Sequence, residues 1–227
     1  LFIYDSNILL LITIFIAVET LFGILGLVII FRKKLAEPKE GVHKKIILDY
    51  AIKNYLGISG STLNTQSDSL IVSSFLSQEN LGIYSVAKTL FRLISLITQT
   101  SNSIIFGIFC ELKKIDAIKL AKKIIIYFSI LSIFIFILSF LFWDEVIIFV
   151  YGDAFKNAYF SGVILALGAV FLLSSSPLHP LFLSQNRPLI SSEIVLYSAT
   201  LNILLSLALV PNFGLVGAAI SVLSASI

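Results

Sequence analysis

Residues 124–142 read IIIYFSILSIFIFILSFLF, nineteen positions without a single charged side chain. A helix needs about 20 apolar residues to cross the hydrocarbon layer of a bilayer, so this stretch reads as a membrane span. Three more stretches share its character: Ile8–Ile30, Phe160–Leu183 and Leu189–Leu209. Across all 227 residues, 58% are apolar and only 13% charged, which excludes an ordinary soluble globular domain. Two stretches of similar length, Tyr50–Leu76 and Ile83–Phe109, carry charged and polar residues inside apolar sequence. Polar groups in hydrocarbon must be satisfied internally, so these two helices are expected to face a wet interior. The fold class is therefore all-α integral membrane. It should be a polytopic helical bundle of about six full spans, with a partial seventh over Leu215–Ile227.

Ile8–Ile30 is too long for a signal-peptide core and has no basic region before it, so it reads as a span. The chain has no methionine, even at position 1, and its last apolar run is short; it reads as a piece of a longer protein.

Charge gives the orientation. Arg32, Lys33, Lys34, Lys39, Lys44 and Lys45 lie in the loop between the first span and the polar pair, and Lys113, Lys114, Lys119, Lys122 and Lys123 in the loop that follows the pair. With Arg187, twelve basic residues fall on one side of the membrane and only Lys156 on the other. The positive-inside rule puts the twelve in the cytoplasm and residue 1 outside. Trp143 and Tyr159 are expected as interfacial anchors of an outer loop, with a short interfacial helix over Asp153–Tyr159.

The polar stretches hold the candidate site. Asn54, Ser61, Thr65 and Asp68 recur at helical spacing on the first; Lys88, Arg92, Ser95, Gln99 and Asn102 step 4, 3, 4, 3 along the second. The short connection Ser77–Gly82 makes them an antiparallel hairpin. Counting helix rise from that connection puts Asp68 and Arg92 at similar depth, so a salt bridge between them is one reading. The other is that Lys88 and Arg92 present positive charge to an anionic headgroup, with Asp68 tuning them or binding a coupling ion. Glu19, in the middle of its span, must face the bundle interior and is a second candidate for coupling or gating. Gly57 with Ser61, and Gly60 with Asn64, mark rows where helices pack closely. Pro177-Leu-His-Pro180 should break its span, and His179 there reads more simply as a hydrogen-bonded structural residue than as a proton relay. Glu193 suits the positive end of the helix that follows.

Other function classes find little support. The net charge of +3 sits at helix ends rather than on one face, which argues against nucleic acid. Cys110 is the only cysteine and there are two histidines, too few for a disulfide or a metal centre. There is no phosphate-binding glycine loop and no hydrolase or metalloprotease motif. No catalytic residue, metal or cofactor is expected, and the chain reads as a non-enzyme.

Asn64-Thr-Gln-Ser-Asp68-Ser-Leu-Ile-Val-Ser, followed by Leu81-Gly-Ile-Tyr-Ser-Val-Ala-Lys88, resembles the first hairpin in the C-terminal half of polysaccharide-type flippases. These belong to the multidrug/oligosaccharidyl-lipid/polysaccharide exporter superfamily. Tyr151-Gly-Asp-Ala-Phe155, and Asn202 with Pro211-Asn-Phe-Gly-Leu-Val-Gly-Ala-Ala219, resemble later segments of the same half. The resemblance implies that residues 1–31 hold the last span of an N-terminal lobe, 32–49 a cytoplasmic linker, and 50–227 most of a C-terminal lobe. It also implies O-antigen or capsular polysaccharide export, by flipping an undecaprenyl-pyrophosphate-linked repeat unit across a bacterial inner membrane. Lys88 and Arg92 would then meet the pyrophosphate, and Gln99, Asn102 and Thr65 the sugars. The partners implied are the lipid-linked oligosaccharide, membrane lipids, and polysaccharide polymerase and chain-length machinery. Two alternatives stay open: a cation-coupled multidrug exporter of the same superfamily, and a membrane polysaccharide polymerase.

Overall fold

The computed structural model describes residues 44–227, with side chains from Asp49 onward, and four helical residues, Thr20, Leu21, Ile24 and Leu25. Apart from those four, the expected span Ile8–Ile30 with its Glu19, and the basic stretch Arg32–Lys39, lie outside the described residues. Seven α-helices follow: α1 (Lys44–Phe75), α2 (Gln78–Ala87), α3 (Thr89–Glu111), α4 (Lys114–Tyr151), α5 (Ala158–Ser175), α6 (Leu178–Ser184) and α7 (Pro188–Ser226). A 3-10 turn, Asp153–Phe155, links α4 to α5. No strand occurs among the described residues, and the architecture is the all-α membrane bundle that composition implies.

Among the described residues, four segments are long and apolar enough to cross a membrane: Thr89–Glu111, Lys114–Tyr151, Ala158–Ser184 and Pro188–Ser226. The last of these is two helices. Gly214 adopts φ 58°, a left-handed conformation costly for any residue with a Cβ, and Pro211 just before it removes a helical hydrogen bond. The chain reverses there. A Cβ on Gly217 would lie 2.4 Å from the Leu209 carbonyl, and Ser198 hydrogen-bonds the Ala225 carbonyl, so residues 215–226 run back antiparallel along α7. This is the partial seventh span read from the sequence.

The proline pair interrupts its span as expected. α5 ends at Ser175, the Ser176 amide donates to the Leu173 carbonyl in a tightened turn, and α6 begins at Leu178. α5 sits at the centre, packed against α2, α3, α4 and α7. One core gathers Val72, Tyr84, Phe91, Trp143, Ile147, Leu165 and Val210; a second, smaller one joins Ile105 and Phe109 of α3 to Ala117, Ala121 and Leu181.

Three expectations are corrected. Lys119, Lys122 and Lys123 are not in a loop: α4 begins at Lys114, because Ala117 and Ala121 have an apolar surface to bury against. Trp143 is not an interfacial anchor; α4 continues through it, and the indole is 5% exposed. Gly162 makes room for that ring, since a Cβ there would meet Trp143 Nε1 at 2.3 Å. The interfacial helix over Asp153–Tyr159 is only the 3-10 turn, with Asp153 and Lys156 paired at 2.9 Å and α5 already starting at Ala158.

The expected seam is present. Gly57 and Gly60 are buried against α7, where added Cβ atoms would come within 2.7 Å of Ser192 Oγ and 3.0 Å of Leu196 Cδ2. Close approach lets polar groups bridge the helices. Ser192 donates to the Lys53 carbonyl at 2.6 Å, and Asn202 Nδ2 donates to both the carbonyl and the side-chain oxygen of Asn64 at 2.9 Å. Small residues bring the backbones together and hydroxyls and amides join them, as membrane helices require.

Candidate functional site

The hairpin is tighter than the sequence suggests. α1 runs to Phe75, Ser77 caps α2 through a bond to the Asn80 amide, and only Leu76 and Ser77 separate the helices. Asp68 then lies seven residues, about 10 Å, from the end of α1. Lys88 lies about 15 Å along the return and Arg92 about 21 Å. The four-carbon stem of lysine covers the first difference; the second is too large. Asp68 therefore pairs with Lys88, not with Arg92.

The pair is sealed. Asp68 is 0% exposed and Lys88 3%. Lys88 Nζ donates to Asp68 Oδ1 and Oδ2 at 2.7 and 2.8 Å and to the Thr65 carbonyl at 2.6 Å, with Ser69 Oγ at 3.4 Å. Tyr84, also fully buried, donates its hydroxyl to Asp68 Oδ2 at 2.5 Å. Backbone geometry presents Lys88 to the site: it stands between α2 and α3 with ψ −9°, while hydrogen bonds Lys88 N to Tyr84 O and Arg92 N to Lys88 O continue across it. The expected single helix Ile83–Phe109 thus bends at Lys88.

The polar stripes divide into an inner and an outer set. On α1, Asp68 turns in with Gly57, Gly60 and Val72, while Ser61, Thr62, Thr65, Gln66 and Ser73 are exposed. On α3, Phe91, Ile94, Thr98, Ile105 and Phe109 are buried, Arg92 and Gln99 are exposed, and Ser95 and Asn102 are half-buried. Three hydroxyls of the outer set bond their own helix: Thr62 Oγ1 donates to the Ile58 carbonyl at 3.1 Å, Thr65 Oγ1 to the Ser61 carbonyl at 3.0 Å and Ser73 to Leu70 at 2.8 Å. Arg92, Gln66 and Gln99 do not. Among the described residues their side chains have neither an ion-pair nor a hydrogen-bond partner. Asn102 Oδ1 is buried and also unpartnered.

Of the residues singled out from the sequence, Asp68 and Lys88 come together, with Thr65 contributing its carbonyl. Arg92, Gln99 and Asn102 stand apart from that pair, and Glu19 lies outside the described residues. Gln66 is a site candidate that periodicity alone left beside the stripe; its spacing of four from Thr62 was the available signal. His179 hydrogen-bonds Ser191 through Nδ1, the structural reading. Glu193 is exposed and lies beyond the first turn of α7, so it does not cap it. No group of three or more metal-ligating side chains occurs among the described residues.

Spans of this length, a proline-broken helix and a polar hairpin define an all-α membrane protein. The fold matches a multidrug resistance MATE family transporter of the MOP superfamily, seen outward-facing, with TM-score 0.64 and 22% identity over 81% of this chain and 42% of that one. A MOP superfamily transporter from Pyrococcus furiosus, whose binding pocket is described as reversed in polarity, matches with the same figures. The chain belongs to the polysaccharide biosynthesis protein family, whose model matches residues 9–159. It is also similar to two membrane proteins of Methanocaldococcus jannaschii. One is 25% identical over 83% of this chain and 39% of its own length; the other is 29% identical over 90% and 52%. The chain thus spans about half the length, or less, of these relatives.

Proposed function

We propose that residues 50–227 form most of the C-terminal lobe of a flippase that moves an undecaprenyl-pyrophosphate-linked oligosaccharide from the inner to the outer leaflet of the plasma membrane. Residues 1–31 then end the N-terminal lobe and 32–49 form the cytoplasmic linker. The observation that carries the reading is the exposed, unpartnered trio Arg92, Gln66 and Gln99 on helices of a membrane lobe. A lone cation against lipid costs at least ~2.5–3.5 kcal/mol on insertion scales. That cost disappears where a second lobe encloses water between itself and Arg92. An arginine fork and two amides suit a phosphate and sugar hydroxyls. Asp68 is internally neutralised, so the outer set carries a positive charge and no acid. This favours an anionic headgroup over the cationic drugs of the alternative exporter, and a non-enzymatic role over polymerisation. The lipid tail stays in the bilayer while the headgroup passes through.

The test is Arg92→Gln in a surface-polysaccharide complementation assay with the full-length protein. Loss of polymer with normal insertion is the expected result; normal polymer removes Arg92 from the site. Cysteine labelling from outside the cell at Ser77, and only after permeabilisation at Lys119, tests the orientation with residue 1 outside.

A further inference from the structure

The surroundings of Lys88 Nζ form more than a salt bridge. Its oxygens come from one turn of α1: both carboxylate oxygens of Asp68, the Thr65 carbonyl and Ser69 Oγ, at 2.6 to 3.4 Å. The Thr65 carbonyl is a helical acceptor offering its second lone pair. The Tyr84 hydroxyl holds the carboxylate from the opposite side, and the Tyr84 ring centroid lies 5.9 Å from Nζ. Oxygen donors converging from carboxylate, carbonyl and hydroxyl make the set that hard cations take.

We infer that Lys88 is a tethered cation: its ammonium fills an oxygen cage on α1 that accepts a free monovalent cation once the lysine is shortened. One carboxylate supplies one negative charge, so a monovalent ion leaves the buried site neutral as lysine does, whereas a divalent ion leaves an uncompensated charge. In the native protein the tethered ammonium cannot leave for either aqueous phase. The hairpin site is therefore closed to sodium or potassium coupling, and a sodium or potassium gradient that drives the protein acts elsewhere. This deepens the flippase reading at one point, the energy source, but the cage rests on the geometry alone.

The experiment compares full-length wild type, Lys88→Ala, and Lys88→Ala with Asp68→Asn, purified in detergent. Thermal unfolding is followed in sodium, potassium or choline chloride at equal ionic strength. Lys88→Ala is expected to gain a saturable rise of about 2–4 °C in sodium or potassium over choline at tenfold excess over Kd. Wild type and the double variant should show no such Asp68-dependent gain. An equal response in all three proteins overturns the inference. Lys88→Ser serves as a second shortened variant; failure of both to insert in cells grown in sodium- and potassium-rich medium also overturns it, because a cage able to take the ion would have kept both neutral. The readout does not involve transport, so a wild type that fails to flip lipid-linked sugar sinks the proposed function and leaves the cage standing.

Discussion

Lys88 and Arg92 stand one helical turn apart, yet one is enclosed and the other open. Lys88 has four oxygens about its ammonium and 3% exposure; Arg92 has no partner among the described residues and faces outward. The bend at Lys88 and the two-residue hairpin decide which cation reaches Asp68. The comparison teaches that a polar stripe on a membrane helix need not be one site. Its inner part can be structural glue while its outer part waits for a ligand.

Four substitutions separate the two regions, taken from the largest stability effect down. Asp68→Ala leaves Lys88 buried and unpaired, and should cost about 3–5 kcal/mol. Detergent melting curves should show it, and the double variant Asp68→Asn, Lys88→Met should regain most of the loss. Tyr84→Phe removes one hydrogen bond to the buried carboxylate, a loss of about 1.5–3 kcal/mol in the same assay. Asn202→Leu removes two bonds to Asn64 at the α1–α7 seam and should cost about 1 kcal/mol, since polar bonds between membrane helices average less than in water. Arg92→Gln touches no side-chain partner among the described residues, so its melting curve should fall within about 0.5 kcal/mol of wild type. A large shift for Arg92→Gln, or none for Asp68→Ala, would erase the distinction between the regions.

Much of the fold was legible. The apolar centres of the later spans, the proline break before α6, the glycine seam of α1 and the reversal before residue 215 follow from residue size, backbone chemistry and the thickness of hydrocarbon. What escaped was set by contacts distant in sequence. Nothing near Trp143 reveals that Gly162 will open a slot for its ring, and nothing near Lys119 reveals that Ala117 and Ala121 will find Phe109 and Leu181. The site was half legible. Periodicity found Asp68, Lys88, Arg92 and Gln99, but pairing depends on depth, and a hairpin four residues shorter than supposed moved every depth on the return helix. Arg92 thereby lost to Lys88.

The 38 residues of α4 make a rod of about 57 Å, nearly twice the ~30 Å of a typical hydrocarbon layer. Its first ten residues carry four lysines, Lys114, Lys119, Lys122 and Lys123, ahead of the uncharged run. Most spans answer a thinner or thicker bilayer by tilting or by deforming the lipid. Here Trp143, seated in the slot that Gly162 opens, pins the rod against α5, so its surplus length is fixed and the lysines of its first turns stand in the headgroup layer while the uncharged run stays in hydrocarbon.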